Sequence, residues 1–520
     1  MSLSLSEVMI HAAGLAIGGK TREAIEALCT ARDAGCRSPN LFTAIGHLQF
    51  DLRDFHAALS SYEQALQFGS DNSTNQYNRG VCLEKLGAWE DAAAAFQRSI
   101  DSDPRRAGSY LGLGISRLHS KCPEEALAAF EKCLERQPFR EAALRGHAVA
   151  LHLLERYDEA AACYRRLLSR DPRSEELLNN AILLAIQSGD YDLLADCSKR
   201  LLEAQPASRL ALEAAALSEF SKRDFDTSLR FCAALVEQYP DSFTGWFNSG
   251  VAFQKQASYE KAADAFSRAA SLDPQAAEAF LSLGTVLQEL GKWQEAQAAY
   301  ERALALCPRL KAGLWNLGLL CENQKDLRGA ESVYCQLVEH YPDAQDGWFR
   351  LGYVRLLLNQ LPASIQAFEA CLAIAKRCPE ALVNIGIAYW RMGNLELAKD
   401  AFRQVHGASA ESTEALRCLA SIALQQQDYE QALSLHKQLL EAGEPGSDLL
   451  YNLALLFHKR GRTAEAVRYY RQALEKRADF PQALLNLGHA LASLGKHEEA
   501  QAAWRTALRG NVQLAERLLV

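Results

Sequence analysis

The sequence predicts an all-α solenoid, a stack of helical hairpins. Three observations predict it. One 34-residue pattern recurs from Leu5 almost to the C-terminus without a gap. Within each period the apolar residues fall into two clusters at helical spacing. Turn and helix-stop residues separate the clusters at fixed places. The pattern is plainest in residues 243–310. With Phe243 as position 1, Trp246 stands at position 4, Gly250 at 8, Ala262 at 20, Phe266 at 24, Ala269 at 27 and Pro274 at 32. One period on, the same places hold Phe280, Gly284, Ala296, Tyr300, Ala303 and Pro308.

The repeats begin at Leu5, Pro39, Ser73, Ala107, Glu141, Glu175, Arg209, Phe243, Ala277, Lys311, Gln345, Pro379, Thr413, Ser447 and Pro481, fifteen units in all. Positions 4, 7, 8 and 11 define the first helix of each unit, and positions 20, 24 and 27 the second. Position 8 is Gly or Ala in fourteen units and position 20 is Ala or Ser in fourteen, so the two helices can approach closely. Position 24 is aromatic in eleven, for example Tyr62, Phe96, Phe130, Tyr164, Phe368, Phe402, Tyr470 and Trp504, and the ring fills the space toward the next unit. Glycines such as Gly87, Gly291 and Gly393 end the first helix. The Asp-Pro pairs at 103–104, 171–172 and 273–274 stop the second, because the residue before proline is pushed out of helical geometry.

One unit departs from the pattern. In 175–208, position 8 is Ile182, position 20 is Leu194 and position 24 is Ser198. Two enlargements where the hairpin is tightest predict wider helix spacing and a local change of curvature. The alternative is that Ser198 returns the volume Leu194 takes. The array is expected to span 5–514 continuously, with 515–520 beginning a partial capping helix.

The residues at positions 4, 7, 8, 11, 20, 24, 27 and 32 resemble the signature of the tetratricopeptide repeat family. The resemblance covers nearly the whole chain. It implies a right-handed superhelix whose first helices line a concave groove, and a role in binding proteins or peptides. It does not imply a partner.

Composition excludes several function classes. The chain is 49% apolar and 23% charged, with a net charge of -8 and no long basic run, so neither nucleic acid nor membrane is an expected partner. The fourteen cysteines include no CxxC pair and read as small buried hydrophobes in a reducing, cytoplasmic setting. Gly14–Thr21 (GLAIGGKT) matches the phosphate-loop expression, yet the period places Gly14 inside a helix and Gly18, Gly19 and Lys20 in a turn. No HExxH, GxSxG or paired Cys/His spacing occurs. No catalytic residue, metal or cofactor is therefore expected. His436 stands in the ring slot at position 24 and is expected to be packed in the core.

The candidate binding residues come from asparagine. The chain has fifteen, and seven stand at position 6: Asn78, Asn180, Asn248, Asn316, Asn384, Asn452 and Asn486. Mid-helix asparagine costs roughly 0.5 kcal/mol relative to alanine, so helix propensity does not explain the choice. An amide both donates and accepts, which suits the backbone of an extended peptide. The array resembles the asparagine ladder in the tetratricopeptide superhelix of O-GlcNAc transferase. The competing expectation is that these amides brace neighbouring helices. If position 6 faces the groove, so do Phe247, Val251, Trp315, Leu319, Phe349, Arg350, Tyr353, Ile387 and Trp390. Cochaperones of the family that hold a C-terminal carboxylate use lysine at position 2, and this chain has none there.

The sequence thus points to a non-enzymatic scaffold or adaptor. The alternative is a substrate-recruiting arm of a larger enzyme, such as a glycosyltransferase, whose catalytic domain is not in this chain. In the first repeat Met9, Ile10, Ala13, Ala16 and Ile17 make an apolar face, which is expected to self-associate or dock a partner.

Overall fold

The computed structural model describes residues 4–69, 72–375, 377–408, 413–443 and 446–509. Among these residues there are thirty α-helices, two per repeat, and no strand. The expected capping segment at 515–520 lies outside the described residues. The chain divides into two compact units, Met1–Leu272 and Asp273–Val520. The first holds the sixteen helices from Leu5–Ile17 to Tyr259–Leu272, and the second the fourteen from Ala277–Glu289 to His497–Arg509. Within each unit every helix packs on its neighbours in sequence.

The hairpin turn has one rule. Position 15 takes a positive φ in all fifteen repeats. Glycine fills it seven times, as at Gly87 and Gly291. Eight times it is Arg53, Lys121, Glu155, Arg223, Ala257, Lys325, Asn359 or Gln427, at φ between 55° and 63°. The turn closes on paired bonds, with Gly87 N–H donating to the Glu84 carbonyl at 3.1 Å and Ala88 N–H to the Leu83 carbonyl at 2.9 Å. Aspartate at position 16 then caps the second helix in several repeats. Asp54 accepts from Ala57 N–H at 3.1 Å, and Asp326 from Gly329 N–H at 3.0 Å.

The ring at position 24 explains the small residue at position 8. A Cβ on Gly318 would stand 2.5 Å from the Tyr334 ring, and one on Gly250 2.7 Å from Phe266. The same ring reaches the next repeat. A Cβ on Gly112, at position 6, would stand 2.4 Å from Cζ of Phe96 in the preceding repeat, and one on Gly146 2.3 Å from Cζ of Phe130. Each ring is thus seated between its own first helix and the next one. Where serine replaces alanine at position 20, its hydroxyl donates to the position 8 carbonyl: Ser228 to Ala216 at 2.8 Å, Ser364 to Gly352 at 2.7 Å. Position 4 tryptophans tie successive repeats, Trp246 Nε1 donating to the Pro240 carbonyl at 3.1 Å and Trp348 Nε1 to Pro342 at 2.9 Å.

Repeat 175–208 keeps the hairpin with its odd residues inside, since Ile182, Leu194 and Ser198 are all buried. Ser198 returns more volume than Leu194 takes. A cavity of about 470 Å³ opens beside Ser198, lined also by Leu202, Ala215 and Phe231. The first helix there, Glu175–Ser188, has fourteen residues where the other first helices have thirteen. The phosphate-loop match falls where the period puts it. Gly14 is inside the helix Leu5–Ile17, and Lys20 pairs with Glu23 at 3.1 Å. All fourteen cysteines are free thiols, and burial pushes Cys82 up to about 12 and Cys321 to about 11. No helix among the described residues is long and apolar enough to cross a membrane.

The turn rule yields a stability prediction. Ala257→Gly relieves a left-handed alanine and is expected to raise stability by about 1 kcal/mol, while Gly291→Ala lowers it by a similar amount. Urea unfolding of the two variants beside the parent checks both signs.

Candidate functional site

All seven position 6 asparagines are half-buried on the first helices. Asn78, Asn180 and Asn248 belong to the first unit, and Asn316, Asn384, Asn452 and Asn486 to the second. Three of them bond the preceding repeat. Asn78 Nδ2 lies 3.0 Å from His47 Nε2, Asn316 Nδ2 donates to Thr285 Oγ1 at 3.5 Å, and Asn486 Nδ2 donates to Tyr451 Oη at 2.9 Å. Among the described residues, nothing hydrogen-bonds the side chains of Asn180, Asn248, Asn384 and Asn452. The ladder therefore divides into braced amides and open ones.

The three braced amides reach the first helix of the preceding repeat, at position 9 (His47, Thr285) or position 5 (Tyr451). Position 6 lies at the para end of the ring from the preceding repeat, as the Gly112 and Gly146 geometry shows. A tyrosine in that slot carries its hydroxyl toward position 6. Tyr62, Tyr164, Tyr300, Tyr334 and Tyr470 are the five tyrosines at position 24, and they precede Asn78, Asn180, Asn316, Arg350 and Asn486, all polar. The five phenylalanines there precede Gly112, Gly146, Ser282, Asn384 and Cys418. Burial pushes the Tyr300 phenol up, and hydrogen bonding with Thr285 and Asn316 pulls it partly back. Asn316 shares a hydrogen bond with the Tyr300 phenol, whereas the Tyr164 and Tyr470 oxygens before Asn180 and Asn486 have no partner among the described residues; Asn248, Asn384 and Asn452 follow Cys232, Phe368 and His436.

The candidate aromatics also take defined places. At position 5, Phe247 packs edge-on against Phe266 at 5.5 Å, Phe349 against Phe368 at 5.6 Å, and Trp315 tilts over Tyr334 at 6.3 Å. One side of each is therefore committed to the hairpin. Arg350 Nη1 donates to Glu322 Oε2 at 3.4 Å, and Glu322 also accepts from Tyr334 Oη. Trp390 Nε1 donates to Gln425 Oε1 at 2.9 Å. Tyr353 is 36% exposed and the most open of the group. Val251, Leu319 and Ile387 are half-buried.

Two cavities open at ladder asparagines, both within the second unit. One of about 580 Å³ is lined by Trp315, Asn316, Ala312, Gln345 and Asp346. The other, of about 630 Å³, is lined by Arg417, Ser421, His436, Asp448 and Asn452. It lies where His436 replaces the usual ring. His436 is 4% exposed, its Nδ1 donates to the Ala432 carbonyl at 2.7 Å, and burial holds its pKa low, so it is a packed histidine as the pattern implies. No group of three or more metal-ligating side chains occurs among the described residues.

The division predicts opposite stability effects. Asn486→Ala strips the Tyr451 hydroxyl of a donor and is expected to cost about 0.5–1.5 kcal/mol. Asn384→Ala loses no bond and is expected to be neutral or to gain up to about 0.5 kcal/mol of helix propensity. Thermal melts of the two variants show the split as Tm shifts of opposite sense.

Comparison with known proteins bears on the same repeats. Models of the tetratricopeptide repeat match residues 43–107, 111–176, 213–277 and 325–380, then 277–310, 379–409, 411–478 and 457–516. No curated protein sequence matches the chain. Similar solved structures include YrrB, described as a TPR protein with an unusual peptide-binding site, at 19% identity over 36% of this chain and 95% of that one, with a TM-score of 0.32. The APC/C hetero-tetramer Cut9–Hcn1 matches at 12% identity over 94% of this chain and 96% of the other, TM-score 0.32. The MamA protein matches at 19% identity over 33% and 94%, TM-score 0.31. With repeat models matching most of its length, and with hairpins at the same period, this chain belongs to the tetratricopeptide repeat family.

Proposed function

We propose that the chain is a non-catalytic scaffold that holds extended segments of protein partners against its first helices, with Asn384 and Asn452 as the principal backbone-binding amides. The observation that carries this reading is the unpartnered state of those two half-buried amides, one of them lining the cavity of about 630 Å³. Neither amide is among the buried polar atoms that lack a partner, so each reaches solvent, and a peptide backbone can take the place of that water. The braced asparagines supply no such argument for themselves, and Asn78, Asn316 and Asn486 position their neighbours. In the first unit Asn180 and Asn248 are the equivalent open amides. Trp315, Phe349, Tyr353 and Trp390 flank the second-unit amides, and aromatic rims of this kind supply contact area at low entropic cost. The acidic balance favours a protein partner over nucleic acid.

The test uses the full chain and peptides selected on it from a random 12-residue display library. Each of Asn384→Ala and Asn452→Ala is expected to weaken a selected peptide by about tenfold at most, and the double variant to lose nearly all binding with its melting unchanged. Full affinity in the double variant refutes the assignment of these amides. Absence of any enriched peptide argues against the extended-segment reading itself.

A further inference from the structure

The first helix, α1 (Leu5–Ile17), carries an apolar face that none of the described residues covers. Ile10 is 73% exposed and Ile17 90%. Between them on the same side Ala13 and Gly14 are exposed, and the space above Gly14 is open. These residues stand at positions 6, 9, 10 and 13. In later repeats position 6 is asparagine seven times, whereas here it is isoleucine. The helix is not frayed at its start, since Ser4 and Glu7 form a reciprocal cap, with Ser4 N–H donating to Glu7 Oε2 at 2.7 Å.

We propose that a second copy of this chain covers this face, α1 against α1 in antiparallel sense. The stripe is self-complementary, which a two-fold interface requires. Ile10 and Ile17 lie equally far from the midpoint between Ala13 and Gly14. A two-fold axis through that midpoint sets Ile10 of one copy over Ile17 of the other, twice. The small pair at the centre lets the two helices come close. Charge selects the antiparallel sense. Glu7 stands in the first turn and Lys20 just beyond the last, both exposed. An antiparallel copy brings the acidic end of one helix beside the basic end of the other, whereas a parallel copy sets like beside like. The exposed Lys20–Glu23 pair does not hold Lys20 back, because such surface pairs contribute little.

The size of the contact sets its strength. A helix of thirteen residues is about 20 Å long, and a pair of them buries less than the ~1,200 Å² of a stable interface. The association is therefore weak and depends on concentration. It is independent of the peptide-binding reading, which rests on other repeats.

Sedimentation velocity of the full chain over about 1–200 µM tests it, a range that brackets weak association. The parent is expected to shift toward dimer as concentration rises. Ile17→Glu is expected to stay monomeric throughout, with its circular dichroism unchanged because Ile17 is exposed. Glu7→Lys and Lys20→Glu are each expected to weaken association several-fold, and their equimolar mixture to recover it, since the mixed pair restores unlike ends. A parent that stays monomeric overturns the proposal, as does association that survives Ile17→Glu. A mixture no stronger than either variant alone overturns the antiparallel arrangement.

Discussion

The contact on which the rest depends is the ring at position 24, pressed between two first helices. On one side its own repeat must present glycine or alanine, because a Cβ at Gly318 or Gly250 already stands within 3 Å of ring carbons. On the other side its para carbon meets position 6 of the following repeat, where Gly112 and Gly146 leave room for Phe96 and Phe130. One side chain therefore sets the spacing within a hairpin and the spacing to the next. Two of the cavities lie beside position 24 residues other than Phe, Tyr or Trp. Ser198 opens one of about 470 Å³ and His436 one of about 630 Å³. In an array where each repeat rests mainly on its neighbours, such a local contact is the unit of stability.

The chemistry of that ring reaches into the candidate site. Phe96 and Phe130 approach position 6 closely enough that glycine stands there. A tyrosine brings a hydroxyl that burial strands unless a polar side chain or solvent meets it, and the oxygens of Tyr164 and Tyr470 lack a partner even so. At Tyr300 the side chain that meets it from the next repeat is Asn316. Asn384 and Asn452 follow phenylalanine and histidine, and no side chain bonds them among the described residues.

Most of the fold was legible in the sequence because its causes are local and repeated. The period, the small residues at 8 and 20, and the glycines of the turns each map onto an observed contact. The Asp-Pro stops hold too: helices end at Ser102 and Leu272 before the pairs at 103 and 273, and at Leu168, slightly earlier, before the pair at 171. The turn was only half visible. Gly87 and Gly291 announced the left-handed residue, but Arg53, Ala257 and Lys325 adopt the same φ with no signal in their identity, because the hairpin imposes it. The site was less legible. Counting asparagines at position 6 did not separate the braced amides from the open ones, since the bracing partner lies about one period away, in another helix. Repeat 175–208 shows the same limit. Its odd residues were evident, yet the net change in volume depends on Ala215 and Phe231 from the next repeat as much as on Ser198.

The most direct measurement is a double-mutant cycle across two repeats, Gly112→Ala with Phe96→Leu, followed by urea unfolding. The alanine Cβ would stand 2.4 Å from the Phe96 ring, so Gly112→Ala is expected to cost about 1–3 kcal/mol despite its gain in helix propensity. Trimming the ring in the preceding repeat removes the obstacle. The double variant is then expected to lose clearly less than the sum of the single losses, with a coupling of about 1 kcal/mol or more. Additive losses, or a stabilised Gly112→Ala, would contradict the account, because the ring would not be the element that joins one repeat to the next.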